Sequence, residues 1–181
     1  MTFNKANQME IEAVLHVFSR LDIENEEDIS KFNVGILDVY SYTLSEVEAK
    51  DLLSSFAEHN LKYEDRFIDT ISSIFRKNGG IVLVYLSQCN YDSDLAHKKG
   101  VKCKFSKENE NELIKIDNLA DLEIIAELST RELFFSNFFF MNINTAIIAN
   151  YDLSFPVYCD NQQDFNWLTN EAIKNGLFIR K

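Results

Sequence analysis

One proline and five glycines in 181 residues leave this chain few places to turn sharply or to lay bare backbone against a ligand. Gly35, Gly79, Gly80, Gly100 and Gly176 are too scattered to assemble a GxGxxG turn, a Walker loop or a GxSxG elbow. The phosphate cradles and the nucleophile elbow that depend on such glycines are therefore excluded. Three histidines, His16, His59 and His97, stand too far apart for an HExxH pair or any other metal site read from spacing. Cys89, Cys103 and Cys159 are odd in number and widely separated, which suits neither a disulfide framework nor a CxxC metal pair. Each reads as a small buried apolar residue. No apolar run approaches the ~18 residues of a membrane span, and the opening MTFNKANQMEIEAVLHVF lacks the basic n-region and apolar core of a signal peptide. The expectation is a cytoplasmic chain with no membrane contact, no cofactor, no metal and no catalytic motif.

Positive charge is scarce as well: 18 Lys and Arg face 29 Asp and Glu, for a formal net charge of −11. Such an excess repels nucleic acid and anionic lipid and steers cationic proteins inward, although an acidic surface also serves plain solubility. What the chain does contain is apolar: 46% of it is hydrophobic and 13% aromatic, enough to fill a core at a length typical of one domain over 1–181.

Local patterns predict alternating helices and strands. Ile11, Val14, Val17, Phe18 and Leu21 recur at helical spacing and leave His16 on the solvent side. The acidic stretch Asp22, Glu24, Glu26, Glu27, Asp28 reads as a solvated loop or first helical turn. Residues 34–42 suit a strand interrupted by Asp38, and Ser45 with Glu48 forms a capping box for a helix ending near His59. A third helix is expected over 63–77, opened by Glu64 and Asp65 and stopped by Asn78-Gly79-Gly80. Residues 81–86 form a continuous apolar run, as in a strand covered on both faces. Residues 101–105 alternate as a half-wet strand, 114–116 continue the strand pattern, and Asn118 caps a short helix with Asp121 at its third position.

The densest block is LFFSNFFFMNINTAIIANYDLSFPVYCD, residues 133–160. Its phenylalanines read as core, its middle piece is apolar on both faces, and turn-prone residues at 142–144 and 151–154 make an antiparallel meander the economical topology. The last piece carries Pro156, which cannot donate to a ladder and so predicts a sheet edge or a strand's first residue. Asn161 then caps a final helix that ends at Asn175-Gly176. The predicted fold is α+β: a mainly antiparallel sheet of about five or six strands, with N-terminal helices and a C-terminal helix packed on it.

The meander FFFMNINTAIIANYDLSFPVYCD followed by the helix QQDFNWLTNEAI, within a small, acidic, motif-poor chain, resembles the cytoplasmic immunity proteins of bacterial contact-dependent growth inhibition and related polymorphic toxin systems. The resemblance implies a protein that binds and neutralises a cognate toxin domain, commonly a nuclease; no family residue carries over onto this sequence. On physical grounds Tyr151, Tyr158 and Trp167 are the candidate aromatic anchors, with Asp152 and Asp160 as charge partners, at an open strand edge or neighbouring groove. Two other classes stay open. A nucleic-acid-binding domain would use the island Lys98, Lys99, Lys102, Lys104 and Lys107, although lysines on an exposed strand also discourage aggregation. An enzyme would need converging polar groups that spacing alone does not reveal.

Overall fold

A computed structural model describes residues 3–23, 30–89, 93–100 and 110–181. Its eight strands are β1 (Asn4–Lys5), β2 (Asn33–Asp38), β3 (Val82–Cys89), β4 (Leu113–Ile116), β5 (Phe134–Phe140), β6 (Thr145–Ile148), β7 (Phe155–Cys159) and β8 (Phe178–Arg180). They form one sheet in the order β1-β4-β3-β5-β6-β7-β2-β8, antiparallel at every pairing. The α+β class and the β5-β6-β7 meander are as expected, but the strands number eight among the described residues rather than five or six. The additions are strands of two and three residues at the two edges, β1 and β8, too short to be visible as a periodic pattern. The half-wet strand expected over 101–105 lies outside the described residues, as does most of the acidic stretch after Asp22.

The helices are α1 (Gln8–Phe18), α2 (Glu46–Leu52), α3 (Asn60–Lys77), α4 (Ser93–Lys98), α5 (Leu119–Thr130) and α6 (Gln162–Lys174). Four begin where short polar side chains cap them: Asn7 and Ser45 close full capping boxes with Glu10 and Glu48, while Asn118 and Asn161 accept from the N–H groups of Asp121 and Asp164. Helix α3 is stopped by Gly79 and Gly80, both at positive φ (83° and 77°), a conformation open to residues without a Cβ. None of the described helices is long and apolar enough to cross a membrane.

The two faces of the sheet are covered unequally. On one face α3, α5 and α6 bring Phe67, Ile71, Ile125, Ala126 and Leu168 against Val84, Phe134, Phe138, Phe140 and Ile147, forming the larger core. On the other, α1 is the one described helix in the core, pressing Val14 and Phe18 onto Leu83, Leu113, Phe139, Ala146 and Tyr158. Helix α1 ends at Ser19, which adopts a left-handed φ of 65°, so Leu21 lies beyond it. Eleven residues make a helix about 16 Å long and 10 Å across, whereas eight strands at about 4.8 Å spacing span roughly 34 Å. One such helix leaves much of its face to other cover.

Three sequence expectations fail for non-local reasons. Strand β7 is interior, flanked by β6 and β2, so Pro156 does not mark an edge. The N–H of Asp160 donates to the Asn144 carbonyl on the β6 flank, and because donors alternate flanks along a strand, Pro156 also turns its nitrogen toward β6. The ladder to β6 ends at Ile147↔Val157, so the missing donor of Pro156 falls where that ladder stops rather than in its middle. His59 does not end the second helix, which stops at Leu52; it precedes α3 and is buried, stacked on Tyr40 with ring centroids 6.1 Å apart. Glu64 does not open a helix at the surface. It lies within α3, buried, and takes a two-pronged ion pair from α5's C-cap residue, Arg131, at 2.7 and 2.8 Å, with the Thr130 hydroxyl adding a third bond at 2.9 Å. A buried carboxylate is tolerated when paired and hydrogen-bonded in this way.

Candidate functional site

The closure of the β6-β7 ladder at Val157 sets up the site. Beyond it the two strands part, and the chain between them runs through a one-turn 3-10 helix, Tyr151–Leu153. Asp152 and Leu153 both adopt left-handed backbone (φ 56° and 54°), a conformation that costs a branched apolar residue such as leucine about 1–3 kcal/mol. The surroundings hold it there: the Leu153 side chain is fully buried, the Asp152 N–H donates to Glu132 at 3.1 Å, and Ser154 donates to the buried Asp38 at 3.0 Å. The turn thereby presents Tyr151, 55% exposed, with its ring against Phe135 at a centroid separation of 4.7 Å.

Between this turn and the end of α1 the sheet carries an open groove of about 450 Å3. Its floor is Phe135, Asn137, Ile148 and Pro156, its walls are Tyr151 and Tyr158, and Asp22 and Ile23 close the α1 side. The floor is organised by Asn137, whose side-chain amide is buried and donates to the Leu21 carbonyl at 2.8 Å. That bond pins the segment leaving α1 and places the Asp22 carboxylate at the rim. Burial first, and then the charge of Asp22, push the Tyr85 hydroxyl above its usual range. Among the described residues the lining holds one carboxylate and no base.

The five side chains singled out from sequence do not form one patch. Tyr151 and Tyr158 meet in the groove, Tyr151 at the rim and Tyr158 largely buried against Phe32 (6.3 Å, edge-on). Asp152 is next to Tyr151, and partial burial, with Glu132 and Asp38 adding, holds its carboxyl above the usual range while His59 opposes the shift. Asp160 is at the other end of β7, four residues and about 13 Å from Pro156, hydrogen-bonded to Asn144. Trp167 sits on α6 on the opposite face, with Lys77 Nζ 4.6 Å from its ring centroid. Phe135, Asn137 and Asn150 also line the groove and were not candidates from sequence, and Asp22, which lines it too, belongs to the acidic stretch read there as solvated. Asn137 within FFSNFFF is the signal that was there to read, a polar residue in the middle of an apolar strand.

A second groove of about 460 Å3 lies between β2, α6 and β8, lined by Asn33, Gly35, Phe165, Arg180 and Lys181. Its described lining carries two bases and no acid. Arg180 is committed within the chain, its guanidinium donating to Asp38 at 2.8 Å and to Thr43 at 3.1 Å. Of the lysine island, Lys98 is exposed, while Lys99 is turned inward, donating to the Arg131 carbonyl at 2.7 Å and pairing with Glu132 at 3.3 Å. Lys102, Lys104 and Lys107 lie outside the described residues. Cys159 is a buried free thiol, accepting from Thr145 at 3.2 Å, and burial pushes its pKa up, which suits a packing residue better than a nucleophile. Among the described residues no three His, Cys, Asp or Glu side chains gather as metal ligands would. Comparison with protein-family models, with curated proteins and with solved structures finds none that matches this chain.

Proposed function

We propose that this protein is an immunity protein: it binds and neutralises a cognate toxin domain, a basic nuclease, through the groove beside Tyr151. The observation that carries the reading is the groove itself, an aromatic-walled, acid-rimmed opening on a chain with a net charge of −11. Aromatic anchors at a partly apolar depression are the usual energetic centre of a protein interface, and the acid excess steers a basic partner toward it. Strand β7 is interior and so gives no open edge at Pro156, and the edge strands among the described residues, β1 and β8, are two and three residues long. Both observations favour docking in the groove over strand addition. The resemblance of the meander and α6 to immunity proteins supports the same reading.

The test is to clone the open reading frame immediately upstream and express its last ~250 residues, one or two domain lengths, with and without this protein. Growth arrest relieved by co-expression, with the two chains co-purifying, is the expected result. An upstream product that is neither toxic nor bound ends this reading.

A further inference from the structure

The groove beside Tyr151 brings together recognition groups that the described residues leave unused. Four half-buried rings carry cations of the chain, Lys31 over Phe32, Lys62 and Arg66 over Tyr63, Lys77 over Trp167 and Lys99 over Phe56, all within 4.6–5.1 Å of the ring centroid, whereas the exposed rings of Tyr42 and Phe178 carry none among the described residues. The Tyr151 ring, more than half exposed and backed by Phe135, has no such cation among the described residues. Asp22 likewise has no ion pair among them, its one contact being a long 3.5 Å approach from the Asn137 amide. Among the described residues, a carboxylate without an ion pair and an aromatic face without a cation thus line the same groove, and none of the described lining residues is a base.

We infer that this groove receives an arginine side chain from an extended segment of the partner, the guanidinium stacked on Tyr151 and forked to Asp22. The inference rests on the immunity reading for the identity of the partner, but the chemistry of the pocket stands by itself. Arginine fits better than lysine because its planar, weakly hydrated head lies flat on a ring while its N–H groups reach a carboxylate at the edge. About 450 Å3 accommodates that side chain with the backbone on either side of it. Ile148 and Pro156 supply apolar surface for the methylene stem.

The experiment uses the full chain and three N-acetylated, C-amidated tripeptides: Gly-Arg-Gly, Gly-Lys-Gly and Gly-citrulline-Gly, the last isosteric with arginine but uncharged. Amide chemical shifts are followed by NMR during each titration. The arginine peptide is expected to move the resonances of Ile148, Asn150 and Tyr151 while those of Asn33 and Phe165 in the second groove stay still. The lysine peptide binds several-fold more weakly and the citrulline peptide not at all. Tyr151→Leu, at an exposed position where folding is not at stake, and Asp22→Asn each weaken the arginine peptide by about tenfold. Equal binding of the citrulline peptide, shifts spread evenly over the exposed acids Glu46, Asp51 and Glu58, or an affinity unchanged in Tyr151→Leu would overturn the assignment. If the upstream product binds while the arginine peptide does not, the pocket assignment alone falls. If the peptide binds as described while the upstream product is neither toxic nor bound, the immunity reading falls and the arginine pocket remains.

Discussion

Two grooves of nearly equal size, about 450 and 460 Å3, open on this molecule with opposite chemistry, and the difference lies in what each has already spent within the fold. The one between β2, α6 and β8 is lined by bases, but Arg180 is bound to Asp38 and Thr43 and holds β8 to the chain after β2. The one beside Tyr151 is lined by a carboxylate and an aromatic pair that no described residue occupies. Equal volumes therefore do not mean equal availability. Recruiting Arg180 to a ligand would leave the buried Asp38 unpaired, so of the two bases in that groove Arg180 is costly to redirect, while Lys181 is exposed.

Breaking the support of the acidic groove should have the largest effect. Leu153→Ala removes a fully buried side chain that holds the strained turn in place, and should cost about 2–5 kcal/mol in denaturant unfolding, with loss of partner binding before loss of fold. If stability is unchanged, the turn is held by its hydrogen bonds alone. The matching insult to the basic groove is smaller. A Cβ at Gly35 would stand 2.4 Å from Ile179 Cγ2 and 3.1 Å from the Arg180 carbonyl, so Gly35→Ala must shift a branch methyl on the stiff β-branched Ile179 and should cost about 1–3 kcal/mol while leaving partner binding intact.

A pH comparison sharpens the picture at the rim. The folded chain raises the pKa of Asp152, so ionising it opposes folding, and that penalty is full above the folded pKa and absent below the unfolded value near 3.8. Asp152→Asn should therefore raise the melting temperature at neutral pH, and the gain should disappear as pH falls through that window. Asparagine also tolerates the left-handed backbone there. A gain that persists in acid would assign the effect to backbone rather than charge. Tyr151→Ala is the smallest change to the fold, within about 0.5 kcal/mol, since its ring is mostly exposed. Its signature is a large loss of partner binding at nearly constant stability.

How much of this was legible depended on sequence distance. The caps at Ser45, Asn118 and Asn161 involve partners three residues away, and all three are where the pattern of polar residue followed by acid placed them. The turns at 142–144 and 151–154 and the burial of Phe134, Phe138, Phe139 and Phe140 were equally readable, because apolar periodicity and turn chemistry are local. Pro156 misled because its missing donor is consistent both with an edge and with a ladder that stops one pair short, and no local signal separates the two. Glu64 misled because a surface carboxylate and one buried against Arg131, 67 residues away, look alike in sequence. Of the site, Tyr151 and Tyr158 were found as aromatic residues at polar margins, whereas Asp160 and Trp167 share that description and lie elsewhere.

By itself the sequence determined the α+β class, the capped helices, the meander and the acid excess, since each follows from hydrogen-bonding and hydrophobic preferences expressed over a few residues. Tertiary structure alone decided that β2, over a hundred residues upstream, inserts between β7 and β8, making the proline strand interior. It also decided that α1 ends at Ser19 on its face, so that the described residues leave an opening beside Tyr151. Strand order and helix coverage are set by which distant apolar faces bury each other best, and that choice is a property of the whole chain rather than of any segment.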